Sequence, residues 1–301
     1  MATSKIFTLR EAISLVKDGD QIALGGFVLK RHPCAMVYEI IRQRKKDLVL
    51  LGWNNGFDFD ILIGAGCTHE VHTAYVGFGA AGLAPNFRRA AQEGKIRIVD
   101  ETESTAQDRF RASSMGLTFF PSKTPLGSDM NKNTEFATEI TCPFTGERYI
   151  ALQAWKPDVS LIHAHSADKH GNIRLDERRF PDTDWDIIIS QAAKKVIVSV
   201  EEIIDERYSY DDPDRTVLPG KFVDAVVELP YGAHPCSCDT RYETDYEFIE
   251  MYRKKCDDSE SFSGFLREYV IGVNDHVEYI ERVGLRRLLK IRRPEGVIFD
   301  Q

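Results

Sequence analysis

Residues 18–33 read DGDQIALGGFVLKRHP. Three apolar residues, Ile22, Ala23 and Leu24, run into Gly25, Gly26 and Phe27, and the basic pair Lys30 and Arg31 follows before Pro33. A short apolar run with turn signals at both ends is the pattern of a buried strand. Two adjacent glycines have no Cβ, so they permit φ > 0 and the close approach of another backbone or a ligand. Beyond Pro33 the stretch CAMVYEIIR, Cys34–Arg42, carries helical spacing. Strand, glycine turn and helix in this order place a ligand beyond the carboxyl end of a strand in an open α/β sheet. The glycine spacing is neither GxGxxG nor a GxxxxGK phosphate loop, so neither dinucleotide nor P-loop binding is indicated.

The rhythm continues outward from this stretch. Residues 4–17 are read as a first helix. Residues 47–52 form a second apolar strand ending in Trp53, Asn54, Asn55 and Gly56, at the same end of the sheet as Gly25 and Gly26 if the two strands are parallel. A helix over 58–63 is closed by glycines, and a strand over 70–76 ends in Gly77, Phe78 and Gly79. A helix over 85–93 precedes a strand over 96–99 that delivers Asp100, Glu101, Thr102 and Glu103, and a helix over 105–115 follows. Residues 122–144 are polar with few apolar anchors and read as a long loop covering a site or an interface. Strand patterns recur at 149–153, 159–164, 195–200 and 223–229, a helix at 184–193, and residues 245–289 are mostly helical. The expectation is an α/β fold: a largely parallel central sheet flanked by helices. Residues 1–301 are read as a single domain with a mainly helical carboxyl-terminal extension over 245–301.

At 301 residues and 43% hydrophobic content the chain can bury a sizeable core. The net charge of −8 argues against a broad nucleic-acid footprint. Clusters of arginine and lysine at 42–46, 88–89 and 286–293 are read as solvated helix faces, the last also able to meet a nucleotide phosphate or an acidic partner. There is no 18-residue apolar run, and the first residues are amphipathic rather than a signal peptide, so a soluble, cytoplasmic chain without membrane contact is expected. Six cysteines without a CxxC pair read as reduced thiols, and no metal site is expected. His163, His165 and His234 are read as histidines of buried hydrogen-bond networks.

The run Asp-Gly-x-x, three apolar residues, Gly-Gly-Phe, with Pro six residues on, resembles the A-subunit signature of the family I coenzyme A transferases. Arg31 stands where many members have Gly, and a basic residue there resembles the glutaconate CoA-transferase branch. PDVSLIHAHSADKHGNIR (157–174) and FVDAVVELPYGAHP (222–235) are similar to further segments of that family. The resemblance implies a half-enzyme. Family members move CoA between an acyl-CoA and a carboxylic acid by way of a glutamate in a Ser-Glu-Asn-Gly segment of the B subunit, and no such tetrapeptide occurs here. The implied partners are therefore a B subunit in an α2β2 or α4β4 assembly, an acyl-CoA and a carboxylic acid, with a short dicarboxylate the expected class. Coenzyme A enters as substrate, and no permanently bound cofactor is implied.

On this resemblance the candidate substrate contacts are Gly25, Gly26, Phe27, Arg31, Asn54, Asn55 and Gly79, with backbone N–H groups at the glycine turns as oxyanion donors. Gly79 stands where glutaconate transferases carry a small hydroxyl residue, which removes a contact to a second carboxylate. Some relatives instead hydrolyse a carbon–carbon bond of a CoA-linked ring remnant or decarboxylate a CoA ester. The ring-opening ones carry an A-subunit glutamate on the segment where Glu103 falls. Under that alternative Glu103 is the general base.

Overall fold

The computed structural model describes residues 4–130, 135–176 and 182–293. Helix α1 (Leu9–Ser14) starts at a capping box in which Thr8 and Glu11 bond each other's backbone N–H groups. It is shorter than the expected 4–17 because the residues before Thr8 are drawn onto the sheet. Phe7 donates its N–H to the Val226 carbonyl, and Val226 donates to the carbonyl of Lys5.

The first half then alternates strand and helix. In order come β1 (Gln21–Leu24), α2 (Cys34–Arg42), β2 (Leu48–Leu51), the two-residue β3 (Asn54–Asn55), α3 (Phe57–Gly64), β4 (Thr68–Thr73), the two-residue β5 (Tyr75–Val76), α4 (Pro85–Gln92), β6 (Arg97–Asp100) and α5 (Glu103–Ser114). Strands β1, β2, β4 and β6 are neighbours and parallel, with Ala23 beside Leu51, Leu51 beside His72 and His72 beside Val99. Their carboxyl ends therefore share one edge, as the sequence pattern requires.

Next, β7 (Phe119–Ser122), β8 (Ala137–Thr141) and β9 (Arg148–Gln153) form a separate antiparallel sheet in the order β7-β9-β8. Strand β8 corrects the reading of 122–144 as one loop. It is an edge strand with mostly exposed or half-exposed side chains, so its sequence ATEIT carries too little apolar content to announce it.

Strand β10 (Val159–Asp168) is buried along all ten residues and outruns the expected 159–164. Its first three residues pair in parallel with β1, and its far half pairs antiparallel with β11 (Ile173–Arg174). After α6 (Asp182–Ala192), β12 (Lys195–Ile204) runs parallel to β10; α7 (Arg207–Asp211) and β13 (Thr216–Leu218) follow, and β14 (Ala225–Glu228) pairs in parallel with β12. The parallel array thus reads β14-β12-β10-β1-β2-β4-β6, with β11 and β13 appended antiparallel beyond the end of β1.

Helices cover both faces, and the apolar residues fall into two main clusters. One is built on α1, α2, α3 and the carboxyl-terminal helices, the other on α5, α6 and the far face of the sheet. The carboxyl-terminal helices are α8 (Tyr246–Lys255), α9 (Ser259–Leu266), α10 (His276–Val283) and α11 (Leu285–Ile291). They explain why α2 has no solvated side. Its residues Cys34 to Ile41 are all buried because this layer packs on its outer face, with the Tyr38 and Tyr279 hydroxyls 3.3 Å apart. None of the described helices is long and apolar enough to cross a membrane.

Candidate functional site

The turn after β1 is held from within. Gly26 has φ +91°, and a Cβ there would lie 2.4 Å from the Lys30 carbonyl oxygen, so only glycine fits without displacement. Four successive N–H groups point into the protein. Gly25 donates to Leu161 O (2.9 Å), Phe27 to Lys30 O (2.9 Å) and Val28 to Asn54 O (2.8 Å). Gly26 donates to Asp186 Oδ1 at 2.9 Å. The amides of Gly25, Gly26 and Phe27, expected as oxyanion donors, thus have partners within the fold, as a buried turn must pair its own backbone.

Two buried ion pairs brace the same turn. Arg31, 2% exposed, donates to Asp186 Oδ2 (2.7 Å) and to the His163 carbonyl (3.0 Å). Arg31, expected as a substrate contact, turns its side chain inward in this chain. A guanidinium in this interior requires a carboxylate partner, and α6 supplies one. Beside it, His32 Nδ1 lies 2.7 Å from Gly25 O and 3.0 Å from Asp58 Oδ2, while Nε2 lies 3.1 Å from Val28 O. Each of these polar neighbours of the ring is an acceptor. Burial pushes the imidazole pKa down, but Asp58 and the two carbonyls outweigh it and raise it above its ordinary value. Correspondingly, burial pushes the Asp58 carboxyl up, and the His32 charge together with hydrogen bonds from His32, Asn55 and the Gly56 N–H outweighs that and lowers it.

The neighbouring strand ends pack against this turn. A Cβ on Gly56 would lie 2.1 Å from Val28 O and 2.9 Å from Gly77 O, so three segments meet where only glycine leaves room. Phe27 packs on Trp53 with ring centroids 5.3 Å apart, and Trp53 stacks on Trp185 of α6 at 5.0 Å. Asn55 is fully buried and donates Nδ2 to Asp58 Oδ2 (2.8 Å), so it belongs to the bracing network. Gly79 is exposed at φ +57°, and its N–H donates to the Tyr75 hydroxyl at 3.2 Å.

Glu103 is an open feature of the edge. It is the first residue of α5, after the Thr102 cap, and it is exposed. Asn54, itself buried, donates Nδ2 to Glu103 Oε1 at 2.6 Å. One carboxylate oxygen is thereby fixed, and the rest of the side chain is open to solvent. The three acids delivered by β6 are not a cluster, because Glu101 turns inward to a buried pair with Arg109 and accepts from Thr105. Chemically, the edge offers a carboxylate oriented by an amide.

The expected buried histidines are found as such. His163 lies 2.8 Å from both Ser199 Oγ and Glu201 Oε1, His165 2.6 Å from the Asp239 carbonyl, and His234 2.6 Å from the Tyr279 hydroxyl. Among the described residues one group, His163, Glu201 and Cys238, brings possible metal-ligand atoms within 4.8 Å of one another. Both His163 nitrogens and both Glu201 oxygens have protein partners, and burial pushes the Cys238 thiol well above its ordinary value, so as built the group is a hydrogen-bond network. Sequence reasoning missed His32, Asp58, Trp53 and Asp186. The juxtaposition of His32 with the Arg31–Pro33 stretch was a signal, but its partners lie far along the chain.

This arrangement, a parallel sheet whose strand ends gather around a braced glycine turn, has close counterparts. Residues 6–229 match the family model described as Coenzyme A transferase. The chain is 39% identical over 295 residues to an uncharacterized protein of Archaeoglobus fulgidus, covering 97% of this chain and 65% of that one, just under two thirds of its length. It is 35% identical over 312 residues to the A subunit of glutaconate CoA-transferase from Acidaminococcus fermentans, covering 98% and 96% of the two chains. The crystal structure of that organism's glutaconate coenzyme A-transferase superposes with a TM-score of 0.90 over 98% of this chain and 97% of that one, at 34% identity. Similarity extends, at 29% identity over 90% of this chain and 93% of the relative, to the IpdA subunit of a cholesterol ring-cleaving hydrolase from Rhodococcus jostii. Fold and relatives together define an A-type subunit. The chain belongs to the coenzyme A transferase family.

Proposed function

We propose that the chain is the A subunit of a heteromeric acyl-CoA transferase that moves CoA between an acyl-CoA and a carboxylic acid, the reactive glutamate being supplied by a B subunit. The observation that carries this reading is the nearly end-to-end match, in sequence and in fold, to the A subunit of glutaconate CoA-transferase. The absence of a Ser-Glu-Asn-Gly segment supports the division of labour. The candidate substrate contacts on this chain reduce to Phe27, Asn54 and Gly79, with Gly25, Gly26, Arg31 and Asn55 acting as the frame beneath them. The assembly is α2β2 or α4β4, in the cytoplasm, with residues 245–301 as an extension of one domain.

The test is co-expression with the candidate B gene, purification of the complex, and borohydride or hydroxylamine trapping after addition of acyl-CoA alone. Label on a glutamate of the partner supports the proposal. Isolation of this chain as a homomer that binds no such partner overturns it.

A second reading is favoured by the Asn54–Glu103 hydrogen bond, which orients an exposed carboxylate at this edge. In it the chain is the A subunit of a CoA-thioester ring-opening hydrolase, with Glu103 as general base, as similarity to the ring-cleaving hydrolase subunit suggests. Glu103→Gln separates the two: transfer survives the substitution and hydrolysis does not.

A further inference from the structure

Helix α2 begins just past the glycine turn and carries the chain about 13 Å, nine residues at 1.5 Å each, to the opposite edge of the sheet. There its last turn borders a cleft of about 580 Å³, a size typical of small-molecule sites. Its lining includes Leu9, Ile41 and Val273 together with Arg10, Arg42 and Arg44.

Arg42 is the built element. Its side chain is 10% exposed, Nε donates to Glu39 Oε2 at 2.7 Å and Nη1 to the Val270 carbonyl at 3.4 Å, while Nη2 is buried with no hydrogen-bond partner. A buried donor of this kind is costly to leave unmade. Arg10 and Arg44 are exposed, and among the described residues neither side chain has a hydrogen-bond or ion-pair partner. Arg44 also sits at φ +55°, the left-handed position after a helix that glycine fills most easily, so the chain keeps an arginine there against backbone preference.

Two carboxylates, Glu39 and Asp275, line the same cleft, so its three arginines exceed them by one charge. Glu39 is paired with Arg42 and accepts from Gln43 Nε2 at 2.8 Å, and Asp275 caps α10 by accepting the Glu278 N–H at 2.9 Å. The carbonyls of Ile40 and Ile41 accept from Lys45 and Arg44. The amino-terminal end of α10, the positive end of its dipole, meets the same cleft.

We propose that this cleft is a second ligand site, remote from the strand-end edge, which binds a small diphosphate ester with its phosphates among Arg10, Arg42 and Arg44 and its organic part on the apolar lining residues. Arginine forks suit phosphate oxygens, and the volume exceeds what a bare phosphate fills.

The test is calorimetric titration of the full chain, in complex with the B-type partner, against ADP, pyrophosphate and inorganic phosphate at low and moderate salt. ADP is expected to bind, at least tenfold more tightly than inorganic phosphate. The double substitution Arg10→Glu/Arg44→Glu is expected to weaken ADP at least tenfold while leaving turnover without added nucleotide unchanged. Both arginines are on the rim, so the outcome does not depend on Arg42→Gln remaining folded. Absence of binding by all three probes, equal binding to the double variant, or equal affinity for inorganic phosphate and ADP overturns the proposal.

Discussion

The glycine turn over Gly25 to His32 and the strand end at Thr102 and Glu103 share one edge of the sheet and are built in opposite ways. In the turn, the N–H groups of Gly25, Gly26, Phe27 and Val28 all bond internally, and two of its basic side chains, Arg31 and His32, are buried against Asp186 and Asp58. At the strand end, Asn54 fixes one oxygen of a carboxylate that is otherwise exposed. The segment most diagnostic in sequence is thus bonded inward, while the glutamate at the start of α5 keeps an exposed carboxylate.

That contrast predicts unequal responses to substitution. Asp186→Ala removes the carboxylate that faces the buried Arg31 guanidinium, which stays charged in the interior, and with it the acceptor for Gly26 N–H. The expected loss is about 3–5 kcal/mol, read by urea unfolding. If the variant unfolds like the parent, the turn is not braced as described. Gly26→Ala puts a Cβ against the Lys30 carbonyl in a left-handed backbone. It is expected to lose roughly 1–3 kcal/mol, with a lowered melting temperature.

A third test compares two acids on α3. Asp58 faces a cation, whereas Asp60 meets neutral donors, the Tyr252 hydroxyl at 2.6 Å and the Phe87 N–H at 2.8 Å. Burial raises the Asp60 carboxyl to about 6 from an ordinary 3.8. The folded state therefore prefers it protonated. Its stabilising contribution is complete below about pH 3.8 and lost as pH rises through about 6. Melts from pH 4 to 7.5 should show the parent losing stability relative to Asp60→Asn across that interval, and a constant difference would refute the assignment. The smallest effect on stability is expected at the open edge, where Glu103→Gln should stay within about 0.5 kcal/mol of the parent by the same unfolding assay.

The parallel half of the fold is legible because β1 and β2 are short apolar runs with polar or glycine punctuation, and that pattern survives without knowledge of partners. Strand β8 is not legible, since an edge strand facing solvent looks like a loop in composition. The far half of β10 is hidden for the opposite reason. Its residues His165, Ser166 and Asp168 break the apolar run that marks 159–164, yet they are buried among tertiary partners that no local pattern reveals. The spacing of glycines did mark the edge where the parallel strands end. It did not reveal that Arg31 and Asn55 turn inward, because Asp186 lies 155 residues from Arg31, and the Asp58 that holds Asn55 is fixed in turn by His32 on another segment.

The internal bonding of four successive amides has a further consequence for how this edge behaves in time. Amides so held exchange with deuterated solvent only when a larger unit of the protein opens, so the turn belongs with the slow-exchanging core rather than with mobile loops. A segment with that lifetime does not remodel itself around an arriving molecule. Any molecule taken up beside the turn would meet it as a fixed surface.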